Sequence, residues 1–118
     1  MSSEYKDIFN KIQLFSDERD WSQFHTPKNL VLSIMSEIGE LAEIVQWKSD
    51  EQLSDYLENN LGRQAISDEI ADIAIYLIRL CQQQNLDLLT IIENKLETNS
   101  LKYPVDKSKG SSLKYTDL

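Results

Sequence analysis

The sequence predicts an all-α domain, and three observations carry that prediction. Helix-breaking residues are scarce, with 3 Gly and 2 Pro in 118 residues. Apolar residues recur at three- and four-residue spacing instead of alternating. No Asn-Gly or similar dipeptide separates short β-type runs. The length is that of one domain, with room for a modest core but not for two.

Taken in order, the first amphipathic helix is expected from about Ser3 to Asp17, with Ile8, Ile12 and Phe15 on one face. The stretch DERDWSQFHTPKNL then breaks the pattern. Within it, Thr26-Pro27 reads as an N-cap followed by proline at the first helical position, and His25 as a local structural or capping residue. A second helix should run from Pro27 to about Trp47. Ser49-Asp50-Glu51 caps a short third helix that reaches Glu58. Leu61-Gly62 is read as the break before a long fourth helix, about Arg63 to Gln84, which Asn85 ends. Asp87 caps a last helix to about Asn99. From Pro104 onward the sequence reads as a lysine-containing tail, extended or mobile, after a helical domain at residues 1–103.

The carboxylates on two of these helices stand apart from the usual pattern. On the second helix Leu30, Val31, Ile34, Ile38, Leu41, Ala42 and Val45 form an apolar arc. Glu37 lies at its edge, and Glu40 lies one turn further on the same side. On the long helix Ala65, Ile66, Ile70, Ile73, Tyr76, Leu77 and Leu80 share an arc. Glu69 falls inside that arc and Asp72 on its rim. A carboxylate on a packing face is costly unless it is paired or binds a metal. Four oxygen donors converging from two packed helices suit a hard cation such as Mg²⁺. No Cys or His lies near them, which argues against zinc, and no Glu-x-x-His pair is present for a di-iron bundle. The alternative is salt bridges to Lys or Arg on neighbouring helices. The long helix also carries Ile75 and Ile78 away from its main arc, so burial against another subunit is expected.

Charge narrows the class further. The formal net charge is −8, and residues 95–118 hold five Lys against three acids, leaving −10 on residues 1–94. Such a body is a poor match for long nucleic acids, which reward basic surfaces. It suits a small anion delivered with a divalent cation, or simply a solvated surface. One cysteine, Cys81, excludes an intrachain disulfide and reads as a packing thiol. No signal peptide and no membrane-length apolar run is evident, so the expected location is cytoplasmic.

The blocks RDWSQFHTPKNL, SEIGELAEIVQWKSDE, DEIADIAIYLIRL, KLETNSLKYPV and SKGSSLKYTDL, in that order, resemble the MazG-like all-α nucleoside triphosphate pyrophosphohydrolases. The resemblance is greatest to the dCTP pyrophosphatase branch and runs from about Arg19 to the C-terminus. It implies a four- to five-helix bundle assembled through helix packing between subunits, as a dimer or a dimer of dimers (a homotetramer). It implies hydrolysis of a dNTP to the dNMP and pyrophosphate, with Mg²⁺, or Mn²⁺ in its place, as cofactor. Glu37, Glu40, Glu69 and Asp72 match the family's metal ligands, with Glu40 and Glu69 as catalytic candidates and Glu40 as the general base. Trp21, Trp47 and Tyr76 would build the base pocket. Lys95 and Asn99 match phosphate-contacting positions, and Lys102, Lys109, Lys114 and Tyr115 are further candidates. The animal enzymes carry a histidine nine residues before the first Trp. Here that position is Ile12, so their preference for modified cytosines is not carried over. Two alternatives stand beside this reading. One is a non-catalytic helical interaction module; the other is the same fold acting on dUTP or another nucleotide.

Overall fold

The computed structural model describes residues 3–118, which are mostly helical, with no strand among them. Six α-helices follow in order: α1 Ser3–Glu18, α2 Pro27–Val45, α3 Asp50–Glu58, α4 Asn60–Gln83, α5 Leu88–Lys102 and α6 Val105–Ser108. A 3₁₀ turn, Tyr115–Asp117, closes the chain. Two compact units result, one ending at Asn85 and one spanning Leu86–Leu118.

In the first unit α4 is the central element, and α2, α3 and α1 pack on it. The helix ends are fixed by local chemistry. The Thr26 hydroxyl accepts from the Asn29 N–H at 3.2 Å, with Pro27 occupying the position where no amide hydrogen is needed. Ser49 and Gln52 form a reciprocal capping box at α3. Past α1, Arg19 donates to the Phe15 carbonyl at 3.0 Å and lays its guanidinium 3.7 Å from the Phe15 ring. Asp20 and Asn85 adopt the left-handed backbone conformation, each with φ 55°. Asn and Asp tolerate that region better than other residues with a β-carbon, which is why the chain can leave α1 and α4 sharply at these points.

Two sequence expectations need correcting. The second helix stops at Val45, and Gln46 and Trp47 belong to the turn after it. Leu61-Gly62 is no break. Asn59 closes α3 and opens α4 at once, its side chain accepting from the Leu61 N–H at 2.9 Å. Gly62 sits inside the first turn of α4 because the end of α3 passes close by. A β-carbon there would collide with the Tyr56 carbonyl oxygen and lie 2.9 Å from the Tyr56 ring. The glycine permits close packing and does not interrupt the helix.

Few side chains are fully buried. Leu30 and Cys81 are the buried apolar residues and Ser16 and Arg79 the buried polar ones among those described. Polar bonds from the end of α4 compensate. Gln82 donates to the Phe9 carbonyl at 2.8 Å, tying α4 to α1. Gln83 donates to the carbonyls of Ser22 and His25 at 3.0 and 3.1 Å, pinning the 19–26 segment. Among the described residues no helix is long and apolar enough to cross a membrane.

In the second unit Asp87 caps α5 by accepting from the Thr90 N–H at 3.3 Å. The chain after Pro104 forms α6 and the closing 3₁₀ turn, and Tyr115 meets Tyr103 edge-to-face at 5.9 Å between ring centroids.

Candidate active site

The packing of α4 on α2 brings carboxylates from both helices together. One oxygen from each of Glu37, Glu40 and Glu69 lies within 4.8 Å of the others. Glu37 and Glu69 are half-buried and Glu40 is exposed. Oε2 of Glu37 and Oε2 of Glu69 are buried and accept no hydrogen bond. None of the three is in an ion pair among the described residues, so the salt-bridge alternative finds no partner here.

The electrostatic consequence falls on Glu37. Its carboxyl is held above the ordinary range, first because a hydrogen bond to the Glu69 carboxyl favours the protonated form, and next because burial penalises the charge. Glu40 opposes this through a hydrogen bond to the charged form, while the charges of Glu69 and Asp72 add to the upward push. Two like unit charges about 5 Å apart repel by roughly 3 kcal/mol at an effective dielectric of about 20. The cluster is therefore unfavourable as three bare anions. A proton relieves it in part. A divalent cation relieves most of it and gives the orphaned oxygens a partner, so the donor set fits a hard metal ion. Asp72 is outside the three-residue group, although its charge reaches Glu37.

Beside the acids lies a cavity of about 450 Å³ between α1, the 21–25 segment and α4. Lys11, Ile12, Phe15 and Ser16 come from α1, Trp21 and His25 from the connecting segment, and Asp72, Ile75, Tyr76 and Arg79 from α4. A second, smaller cavity of about 260 Å³ shares Trp21, His25 and Tyr76 with the first. Trp21 is held edge-on to Phe15, with centroids 5.6 Å apart, and to His25 at 6.2 Å. The Tyr76 hydroxyl is pushed up, mainly by burial and then by the charges of Glu37, Asp72 and Glu40, so it stays a neutral donor. A mostly apolar hollow with a few polar groups at its edge is the usual form of a small-molecule site.

Of the aromatic residues singled out in the sequence, Trp21 and Tyr76 line both cavities. Trp47 is 85 % exposed and lines neither. It stands in the turn after α2, beyond the last residue that the helix orients. In the second unit the Nζ atoms of Lys102 and Lys114 lie 5.0 and 6.0 Å from the Tyr115 ring centroid. Lys95 and Lys109 are exposed, and Asn99 is half-buried on α5.

The sequence reading missed Arg79, which is 1 % exposed. Its Nε donates to His25 Nδ1 at 3.0 Å, one terminal nitrogen to Gln82 Oε1 at 2.8 Å and the other to Ser22 Oγ at 3.3 Å. Its spacing was a usable signal: Asp72, Tyr76 and Arg79 follow i, i+4, i+7 on one helix face.

Residues 32–118 match the model of the MazG-like family. The chain is 45 % identical over 104 residues to dCTP pyrophosphatase 1 of Rattus norvegicus and 46 % identical to that of Bos taurus. Against the Homo sapiens protein of the same name the identity is 40 %. Each alignment covers 88 % of this chain and 61–62 % of the relative, so the chain spans about three-fifths of the length of these curated relatives. The crystal structure of a pyrophosphatase from Archaeoglobus fulgidus superposes with a TM-score of 0.81 at 35 % identity, covering 88 % of this chain and 95 % of that one.

Proposed function

The chain belongs to the MazG-like family, and from that premise we propose that it hydrolyses deoxynucleoside triphosphates to the monophosphate and pyrophosphate. The substrates are dCTP and related or noncanonical dNTPs, and the role is control of the nucleotide pool. The observation that carries this is the pair of orphaned, buried oxygens of Glu37 and Glu69, with Asp72, whose charge reaches Glu37, lining a cavity of about 450 Å³.

Mg²⁺, with Mn²⁺ able to replace it, would be held by Glu37, Glu40 and Glu69, with Asp72 as the fourth ligand. When bound, the ion neutralises phosphate charge and lowers the pKa of a bound water. The chain's own groups do the rest. Glu40, the most accessible of the three clustered acids, takes the proton of the water that attacks the α-phosphorus. Glu69 supplies the second catalytic carboxylate. Trp21 and Tyr76 offer flat faces and an apolar wall for the base, and Ile12 extends that wall where a polar side chain would add selectivity. Phosphate contacts are proposed for Lys95, Asn99, Lys102, Lys109 and Lys114 on chemical grounds, since an ammonium is a point-charge donor suited to phosphate oxygens.

A second copy of the chain is the proposed occupant of the exposed apolar stripes, giving a dimer or dimer of dimers. On α2 the stripe is Val31, Met35 and Ile38, at 46, 63 and 49 % exposure, and on α4 it includes Ile70 and Leu77, at 56 and 42 %. Exposed apolar stripes on neighbouring helices support this reading.

Incubation with dCTP and Mg²⁺ tests the reaction. The expected products are dCMP and pyrophosphate. Release of dCDP and orthophosphate, or no turnover of any dNTP, would contradict it.

A further inference from the structure

We infer that Arg79 is a positioning residue that fixes His25 as the neutral Nε2–H tautomer, so that the pocket presents a hydrogen-bond donor to an acceptor atom on the nucleobase. This rests on the base-pocket reading above and names what that pocket selects.

A guanidinium can only donate. The bond from Arg79 Nε to His25 Nδ1, at 3.0 Å, therefore requires a lone pair on Nδ1. That leaves the imidazole neutral with its proton on Nε2, since the bond one ring nitrogen makes decides what the other can offer. Nε2 carries no hydrogen bond among the described residues, and His25 lines both cavities. The burial of His25 and the charge of Arg79 both disfavour protonation, in agreement with the geometry.

The guanidinium itself calls for an explanation. It is fully buried, yet its three acceptors, His25, Gln82 and Ser22, are all uncharged. Asp17 acts on it only as a nearby charge, and burial is the larger influence. An apolar residue of similar volume would fill this position at lower cost, so packing alone does not account for Arg79. What an apolar residue could not do is hold His25 in one tautomer and anchor Ser22, one residue after Trp21. The lining is then rich in donors, from His25, Tyr76 and Trp21 together with Lys11 and Ser16 of α1, with Asp72 as its one carboxylate. Such a lining favours a ring with acceptors on its edge, as a pyrimidine has at O2 and N3, and disfavours an apolar ring of the same shape.

The chain contains a single histidine, so long-range ¹H–¹⁵N spectra of the ¹⁵N-histidine-labelled full chain report His25 alone. The expected result is one neutral imidazole protonated at Nε2. Its Nε2 signal should move when a non-hydrolysable dCTP analogue binds with Mg²⁺. An imidazolium or Nδ1–H form at neutral pH, or an Nε2 signal unmoved at saturation, would overturn the inference. Arg79→Met should release the constraint, giving mixed tautomers. In kinetics, the wild type should favour dCTP over a triphosphate bearing a fluorinated benzene of pyrimidine size by at least about tenfold in kcat/KM, the scale of one unpaired buried hydrogen bond. The preference should shrink several-fold in His25→Phe and in Arg79→Met, chiefly through KM. Should Arg79→Met fail to fold, the wild-type spectrum and His25→Phe still decide the matter. Absence of any dNTP turnover by the wild type would sink the enzymatic reading. Turnover without base discrimination would sink only the role given to Arg79 and His25.

Discussion

At the scale of single residues, the acids of α2 and α4 trade stability for a binding site. Glu69→Ala should abolish turnover while leaving metal-free stability unchanged or raised by up to about 1–2 kcal/mol, because it removes a poorly solvated, mutually repelling charge. Denaturant titration in chelator beside the activity assay checks both halves. Glu37 adds a pH signature. Its pKa is higher folded than unfolded, so the folded state binds the proton more tightly. Its contribution to stability is complete below the ordinary glutamate pKa and is lost as pH rises through the elevated folded value. Metal-free protein should therefore lose melting temperature across that window, and Glu37→Gln should flatten that part of the profile. The acids themselves were legible from the helical wheel, since a carboxylate inside an apolar arc is a local anomaly. Arg79 carried only its i, i+4, i+7 spacing from Asp72 and Tyr76, because a guanidinium near the end of a helix ordinarily reaches solvent, and only the fold sets His25 and Ser22 against it.

At the scale of elements, the caps were readable and two boundaries were not. Thr26-Pro27, Ser49, Asn85 and Asp87 act through their nearest neighbours in sequence, so their spacing sufficed to place them. Gly62 acts through Tyr56 on the preceding helix, a contact that has no local signature, and a glycine beside a leucine was read as a break. Gly62→Ala tests the distinction. In an isolated helix this change would gain roughly 1 kcal/mol of propensity. Here the added carbon meets the Tyr56 backbone, so a net loss of about 1–3 kcal/mol is expected in urea unfolding. A gain in stability would restore the view of Gly62 as a mere interruption. The same logic explains Trp47. The apolar period that predicts helix continues to that residue, while the backbone leaves the helix two residues earlier.

At the scale of the whole molecule, the sequence pointed to Ile75 and Ile78 as the part of α4 its own chain cannot cover, whereas the structure also leaves Ile70 and Leu77, from the arc read as packed, exposed. Sedimentation at micromolar concentration should show a dimer or larger assembly, and Met35→Glu should shift it toward monomer. A monomeric wild type would leave the exposed stripes on α2 and α4 without an occupant. The placement of the tail lysines could not be read from pattern, since lysines in a polar segment carry no periodicity to fix a direction. The contrast between the two indoles has a practical outcome. Trp47 is 85 % exposed, whereas Trp21 is 42 % exposed, stands edge-on to Phe15 and His25 and lines both hollows. Ultraviolet emission from the first should be red and readily quenched by iodide, and emission from the second bluer and dimmed by an entering base. One cuvette then follows occupancy through one ring and whatever approaches the turn after α2 through the other, with no added dye.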